Sequence, residues 1–157
     1  MEISIIKGNL EHLEDCKKAL INSEFGKVYF SSERSAELFL AKGLTKGEIC
    51  VALDEDSKCV GYIWFTLRGA FSEFPYVRGI AVKKECRRRG IGKRLLFLFE
   101  NIGFERSSKL LLLVSDFNFQ AKRLYHEIGY KEIGVINGLF REEFSEYIMM
   151  KSKKNDV

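Results

Sequence analysis

A single proline, Pro75, stands in 157 residues, which rules out a Pro-rich linker or polyproline segment. Histidine is equally scarce, with His12 and His126 alone. The four cysteines (Cys16, Cys50, Cys59, Cys86) form no CxxC pair, so a structural zinc centre is not expected. Long apolar runs are missing too. The longest, near residues 59–67 and 110–114, fall well short of the roughly 20 residues that a membrane helix needs. Residues 1–16 mix charges among their apolar positions and lack the apolar stretch of a signal peptide. Charge of one sign is not in large excess: 26 basic against 22 acidic residues leave +4. That balance weakly favours an anionic ligand and is too small to argue for nucleic acid. The expectation is a cytoplasmic protein with reduced cysteines, partnered by neither membrane nor nucleic acid. Cys50 and Cys59 flank a tight turn, but their offset does not set them opposite each other.

What is present is the material of one globular domain: 46% hydrophobic and 31% charged residues, without repeats or low-complexity blocks. Residues 2–7 alternate as a strand. Asn9 is placed to cap a helix over 11–21, and Ser31 or Ser32 one over 33–42 that Gly43 ends. A hairpin follows, with strands 48–54 and 59–67. A loop over 68–75 leads to a strand over 76–82. Strand then alternates with helix: a glycine-bearing basic run, an apolar helix through Ile91, Leu95, Leu98 and Ile102, and the buried-type strand 109–114. A short helix over 119–128 stops at Gly129, and strands 131–136 and 145–151 close the chain. The fold class is α/β, one domain (1–157) with a mixed sheet of about seven strands and about four helices.

The first chemical feature is Arg87-Arg88-Arg89-Gly90-Ile91-Gly92-Lys93, between a strand and a helix. Glycines let a backbone approach a ligand closely, and a helix start offers free N–H groups and the positive end of its dipole. With the neighbouring cations this turn suits a diphosphate; equally, it suits a solvated basic chain reversal. It is neither a Walker loop, since no GxxxxGK[ST] occurs, nor a dinucleotide fingerprint, since Leu95 stands where a third glycine is needed.

The string Ile80-Ala81-Val82-x4-Arg87-x2-Gly90-x-Gly92 before an apolar helix resembles motif A of the GNAT family of N-acetyltransferases. Asn118-x2-Ala121-x2-Leu124-Tyr125-x3-Gly129-Tyr130 resembles that family's second signature, and the order of elements matches along the whole chain. The resemblance implies an acetyl-coenzyme A-dependent N-acetyltransferase in which an amine attacks the thioester directly, without metal. It implies that the backbone of Ile80, Ala81 and Val82 holds the pantetheine arm. A backbone N–H there would stabilise the oxyanion. The N–H groups of Arg88, Arg89, Gly90, Ile91, Gly92 and Lys93 would hold the pyrophosphate, with charge from Arg87 and Arg88. Tyr125 would protonate the departing sulfur. On pattern alone Tyr125 also fits the apolar face of its helix beside Ala121, Leu124 and Ile128. Asn118 would contact the cofactor, cap the helix, or do both.

Two departures from the family pattern concern the base. Positions where relatives carry a glutamate are Leu113 and Tyr76 here, so no base is carried over; Glu73 and Asp116 are candidates by location only. Phe71, Phe74, Tyr76 and Trp64 surround the loop where an acceptor would enter, though aromatics beside strands are usually core. Arg78 suits an acceptor carboxylate or the sheet surface, and both histidines read as structural. A non-catalytic acyl-coenzyme A-binding module is the alternative, and a nucleic-acid binder using the cluster 87–94 a distant third. The acceptor and the oligomeric state are not legible.

Overall fold

The computed structural model describes residues 2–154. In chain order come β1 (Ser4–Lys7), a 3-10 turn (Leu10–His12), α1 (Leu13–Ile21), α2 (Glu24–Tyr29), α3 (Glu33–Thr45), β2 (Ile49–Leu53), β3 (Cys59–Ala70) and β4 (Phe74–Val82). A second 3-10 turn (Lys84–Cys86) precedes α4 (Ile91–Gly103), β5 (Lys109–Ser115), α5 (Phe119–Glu127), β6 (Lys131–Asn137) and β7 (Ser145–Ser152). The strands form one mixed sheet in the order β1-β2-β3-β4-β5-β7-β6, parallel at β4–β5. Among the described residues the seven expected strands are all there, with five α-helices in place of about four.

Two compact units divide these residues. One holds the chain up to Phe65 together with Gly79–Phe99; the other holds Thr66–Arg78 and the chain from Glu100 on.

In the first unit, the Asn9 side chain accepts from Glu11 N and His12 Nδ1 accepts from Asn9 N, so His12 is structural, as expected. Ser32 caps α3 through Ser35 N. Leu20 of α1, Leu40 and Leu44 of α3, and Ile49, Tyr62 and Trp64 of the strands close the core. Trp64 is part of it: 2% exposed, it packs against Phe39 with the rings tilted at 52° and donates from Nε1 to Glu48 Oε1 at 3.2 Å. All four cysteines are free, and Cys50 pairs with Ile63, not with Cys59. Gly43 does not end α3. The helix runs on to Thr45, and Gly43 packs against the Trp64 ring, where a Cβ would come within 2.8 Å, so the glycine serves packing and not helix termination.

In the second unit, β7 lies between β5 and β6, antiparallel to both. Directly opposed residues share a face, and faces alternate along a strand. The pairs Ser115↔Glu146, Leu113↔Ile148, Leu111↔Met150 and Tyr76↔Leu111 therefore put Tyr76, Arg78, Ser115 and Glu146 on one side. The other side carries Leu110, Leu112, Tyr147, Met149 and Lys151. It takes α5, whose Lys122 ammonium sits 3.6 Å over the Tyr147 ring, and the end of α4, where Gly103 abuts Leu110. The loop expected over 68–75 is shorter: β3 continues to Ala70 and β4 begins at Phe74.

Candidate active site

The basic turn belongs to the first unit. Arg88 (φ 63°) and Gly90 (φ 77°) both take the left-handed conformation, and α4 begins directly after them at Ile91. Two such residues around Arg89 curl the backbone into the concavity that collects anions. A Cβ built on Gly90 meets nothing within 4 Å, so the ground above it is open. Ile91 is buried at 2% and anchors the first turn, leaving only its backbone to a ligand. Arg88, Arg89 and Lys93 are exposed. Arg87 is held by two backbone acceptors, Val82 O at 3.2 Å and Asn22 O at 2.8 Å, which pin the turn to β4 and to the end of α1. Lys83 is paired with Asp15. Ala81 is 7% exposed, and Ile80, Val82 and Gly92 are half-buried. These features fit a diphosphate bound through main-chain N–H groups with exposed guanidinium groups beside it.

The second unit carries the other predicted residues. Asn118 caps α5, its Oδ1 accepting from Ala121 N at 3.4 Å. Tyr125 is 6% exposed, and burial pushes its phenol pKa up, so the hydroxyl keeps its proton across the neutral range. Its ring meets that of Tyr130, whose own pKa is raised by burial and by the nearby Glu100 carboxylate. Glu100, 6% exposed, accepts from Lys151 Nζ at 2.7 Å.

The two carboxylates named as base candidates differ in setting. Glu73 is exposed in the β3–β4 turn. Asp116 Oδ2 accepts from Ser145 N at 3.2 Å and so ties the end of β5 to β7. Phe71 is 79% exposed at the turn tip, whereas Phe74 and Tyr76 are half-buried. Arg78 is exposed, and His126 lies exposed on α5. Sequence reasoning missed Glu146, which is 2% exposed and accepts from Ser115 Oγ at 2.6 Å. Its signal in the sequence is a carboxylate beside the apolar run Tyr147–Met150 of the strand SEYIMMKS.

A mixed α/β sheet whose fourth strand leads through a basic glycine turn into an apolar helix defines the acetyltransferase fold class. The family model for the acetyltransferase (GNAT) family matches residues 13–130. An uncharacterised N-acetyltransferase of Methanocaldococcus jannaschii is 31% identical over 102 residues; the match spans 64% of this chain and 64% of that protein. Among solved structures, a GNAT-family acetyltransferase of Bacillus cereus has a TM-score of 0.79 at 16% identity, covering 99% of this chain and 100% of its own. Ard1 of Thermoplasma volcanium gives 0.80 at 18% identity, with 99% and 100% covered. The PaiA N-acetyltransferase of Thermoplasma acidophilum, solved with coenzyme A, gives 0.73 at 21% identity, with 97% and 99% covered. The chain belongs to the GNAT acetyltransferase family.

Proposed function

We propose that this protein is a single-domain N-acetyltransferase that moves the acetyl group of acetyl-coenzyme A directly to a primary amine. The observation that carries the reading is the turn before α4, where left-handed Arg88 and Gly90 present the helix start and leave open ground above Gly90. The coenzyme A bound to the similar PaiA structure supports it.

When bound, acetyl-coenzyme A supplies an activated thioester. The N–H groups of residues 88–93 would hold its diphosphate, and the exposed Arg88, Arg89 and Lys93 would add charge. The backbone of Ile80, Ala81 and Val82 would hold the pantetheine arm. Tyr125, whose buried phenol keeps its proton, would be the proton donor to the cofactor's sulfur. Asn118 fixes the start of α5 and hence the position of Tyr125. Incubation with acetyl-coenzyme A and a panel of primary amines, with thiol release followed, tests this reading. Release that depends on one of the amines is expected. Cofactor binding without release for any amine would support a non-catalytic binding module instead.

A further inference from the structure

In the first unit, an irregularity in one strand brings two cysteines together. β2 and β3 pair as Ile49↔Trp64, Val51↔Tyr62 and Ala52↔Gly61, but Leu53 pairs with Cys59, so Val60 is an extra residue. A bulge of this kind re-aims the side chain beside it. Regular alternation would give Cys59 the face of Gly61 and Ile63. The bulge sets it instead with Leu53, Val51 and Tyr62, on the face that α1 and α3 cover. There Cys59 is 2% exposed, and Cys16 of α1 is 0% exposed in the same cluster. The two thiols are hydrogen-bonded, with Cys16 donating to the Cys59 sulfur. Cys59 has its own acceptor in Gly61 O at 3.6 Å. Beside them stands the more exposed ion pair of Lys83 and Asp15, side chains 15% and 35% exposed, within electrostatic reach of both sulfurs.

The pair is chemically uneven. The hydrogen bond from Cys16 holds the Cys59 pKa below the ordinary thiol value in spite of burial, and the same bond raises that of Cys16. Burial raises the pKa of Cys50 and of Cys86, which keeps them as thiols. The thiolate is the reactive form of cysteine, so Cys59 is the sulfur prepared to react.

We propose that Cys16 and Cys59 are an oxidisable dithiol, a modification site that a peroxide converts into a disulfide tying α1 to β3. The deprotonated Cys59 sulfur attacks one peroxide oxygen and the O–O bond breaks. The released hydroxide takes the proton that Cys59 lost and becomes water, leaving a sulfenic acid on Cys59. The Cys16 sulfur then attacks the Cys59 sulfur, and its S–H proton leaves with the hydroxyl group as a second water. Two thiols are oxidised to a disulfide, and one peroxide is reduced to two waters. Peroxide is small and neutral, and it enters where the Lys83–Asp15 pair meets solvent. The carbonyl of Asn22, next after α1, accepts from Arg87, so the link fastens the segment that pins the basic turn. This inference is independent of the acetyltransferase reading.

The test is thiol mapping of the whole protein, oxidised under native conditions with a few equivalents of hydrogen peroxide and then acid-quenched. Alkylation in denaturant should find two free thiols where the untreated protein has four. Digestion without reductant should give one cross-linked species, joining the peptides of Cys16 and Cys59, and dithiothreitol should restore all four thiols. Cys16→Ala removes the resolving thiol and should leave Cys59 as a sulfenic acid that dimedone traps. Cys59→Ala should give no dimedone adduct on Cys16. Four free thiols after peroxide, or links through Cys50, through Cys86 or between molecules, would overturn the proposal even if both variants fail to fold. A dimedone adduct on Cys16 in Cys59→Ala would overturn the assignment of Cys59 as the attacking sulfur.

Discussion

The rings of Tyr125 and Tyr130 meet edge to face, centroids 6.0 Å apart and planes at 66°. The contact holds Tyr125 by its ring, so its hydroxyl is separable from its packing. Tyr125→Phe should therefore slow turnover, by up to the 10²–10⁴ or so of a general-acid step, while coenzyme A affinity and melting temperature stay near the parent's. Because burial raises the Tyr125 pKa, the donor form persists to high pH. No alkaline loss of activity between pH 7 and about 9 should trace to this residue. Kinetics of the Phe variant check both points, and a fully active variant returns Tyr125 to the core.

Lys151 and Glu100 form a largely buried pair, with side chains 18% and 8% exposed. Lys151→Met would leave the carboxylate uncompensated beside the Tyr130 ring. The expected cost is about 3–5 kcal/mol, less for whatever solvent reaches the lysine. Glu100→Gln with Lys151→Met should recover much of it. Urea unfolding of the single and double variants is the measurement, and strictly additive losses would contradict the pairing.

In the first unit, Lys17 reaches Glu14 and Glu37 at 3.0 Å and Glu33 at 3.8 Å while only 5% exposed. Hydrogen bonds to Glu37 and then Glu14 hold its ammonium above the ordinary lysine range. A folded-state pKa raised above the unfolded value, about 10.4, gives stabilisation that is complete below that pH. It is lost as pH climbs through the folded value. The stability gap between parent and Lys17→Met should stay constant from pH 7 to about 10 and narrow only above it. A gap that closes between pH 7 and 9 would contradict this account.

Strand and helix order was legible from alternation and helical spacing, and both signature strings lie where the fold needs them. What was not legible depended on contacts between distant residues. Helix α2 is short and carries Gly26, packed so close to the Leu20 carbonyl that a Cβ would meet it at 1.8 Å. No local signal announces that need. The β3–β4 connection was read as a loop over 68–75, but β3 runs to Ala70 and β4 starts at Phe74. Here Phe71 (φ 54°) and Ser72 (φ 57°) take the left-handed conformation. Asn118 was read with two compatible roles, and its capping bond is present. Glu146 went unread because its significance comes from Ser115, 31 residues earlier in the chain.

The measurement closest to the central claim is the melting temperature of the parent and of Gly90→Val with coenzyme A added. Coenzyme A at about 100 times its dissociation constant should stabilise the parent by roughly 2.7 kcal/mol. Valine at Gly90 has room in the protein but must take φ 77°, which costs about 1–2 kcal/mol by itself, and its side chain fills the ground where the diphosphate would lie. The account predicts a lower starting melting temperature for the variant and no rise on adding coenzyme A. A variant that gains as much as the parent, or a parent that gains nothing at millimolar coenzyme A, would contradict it.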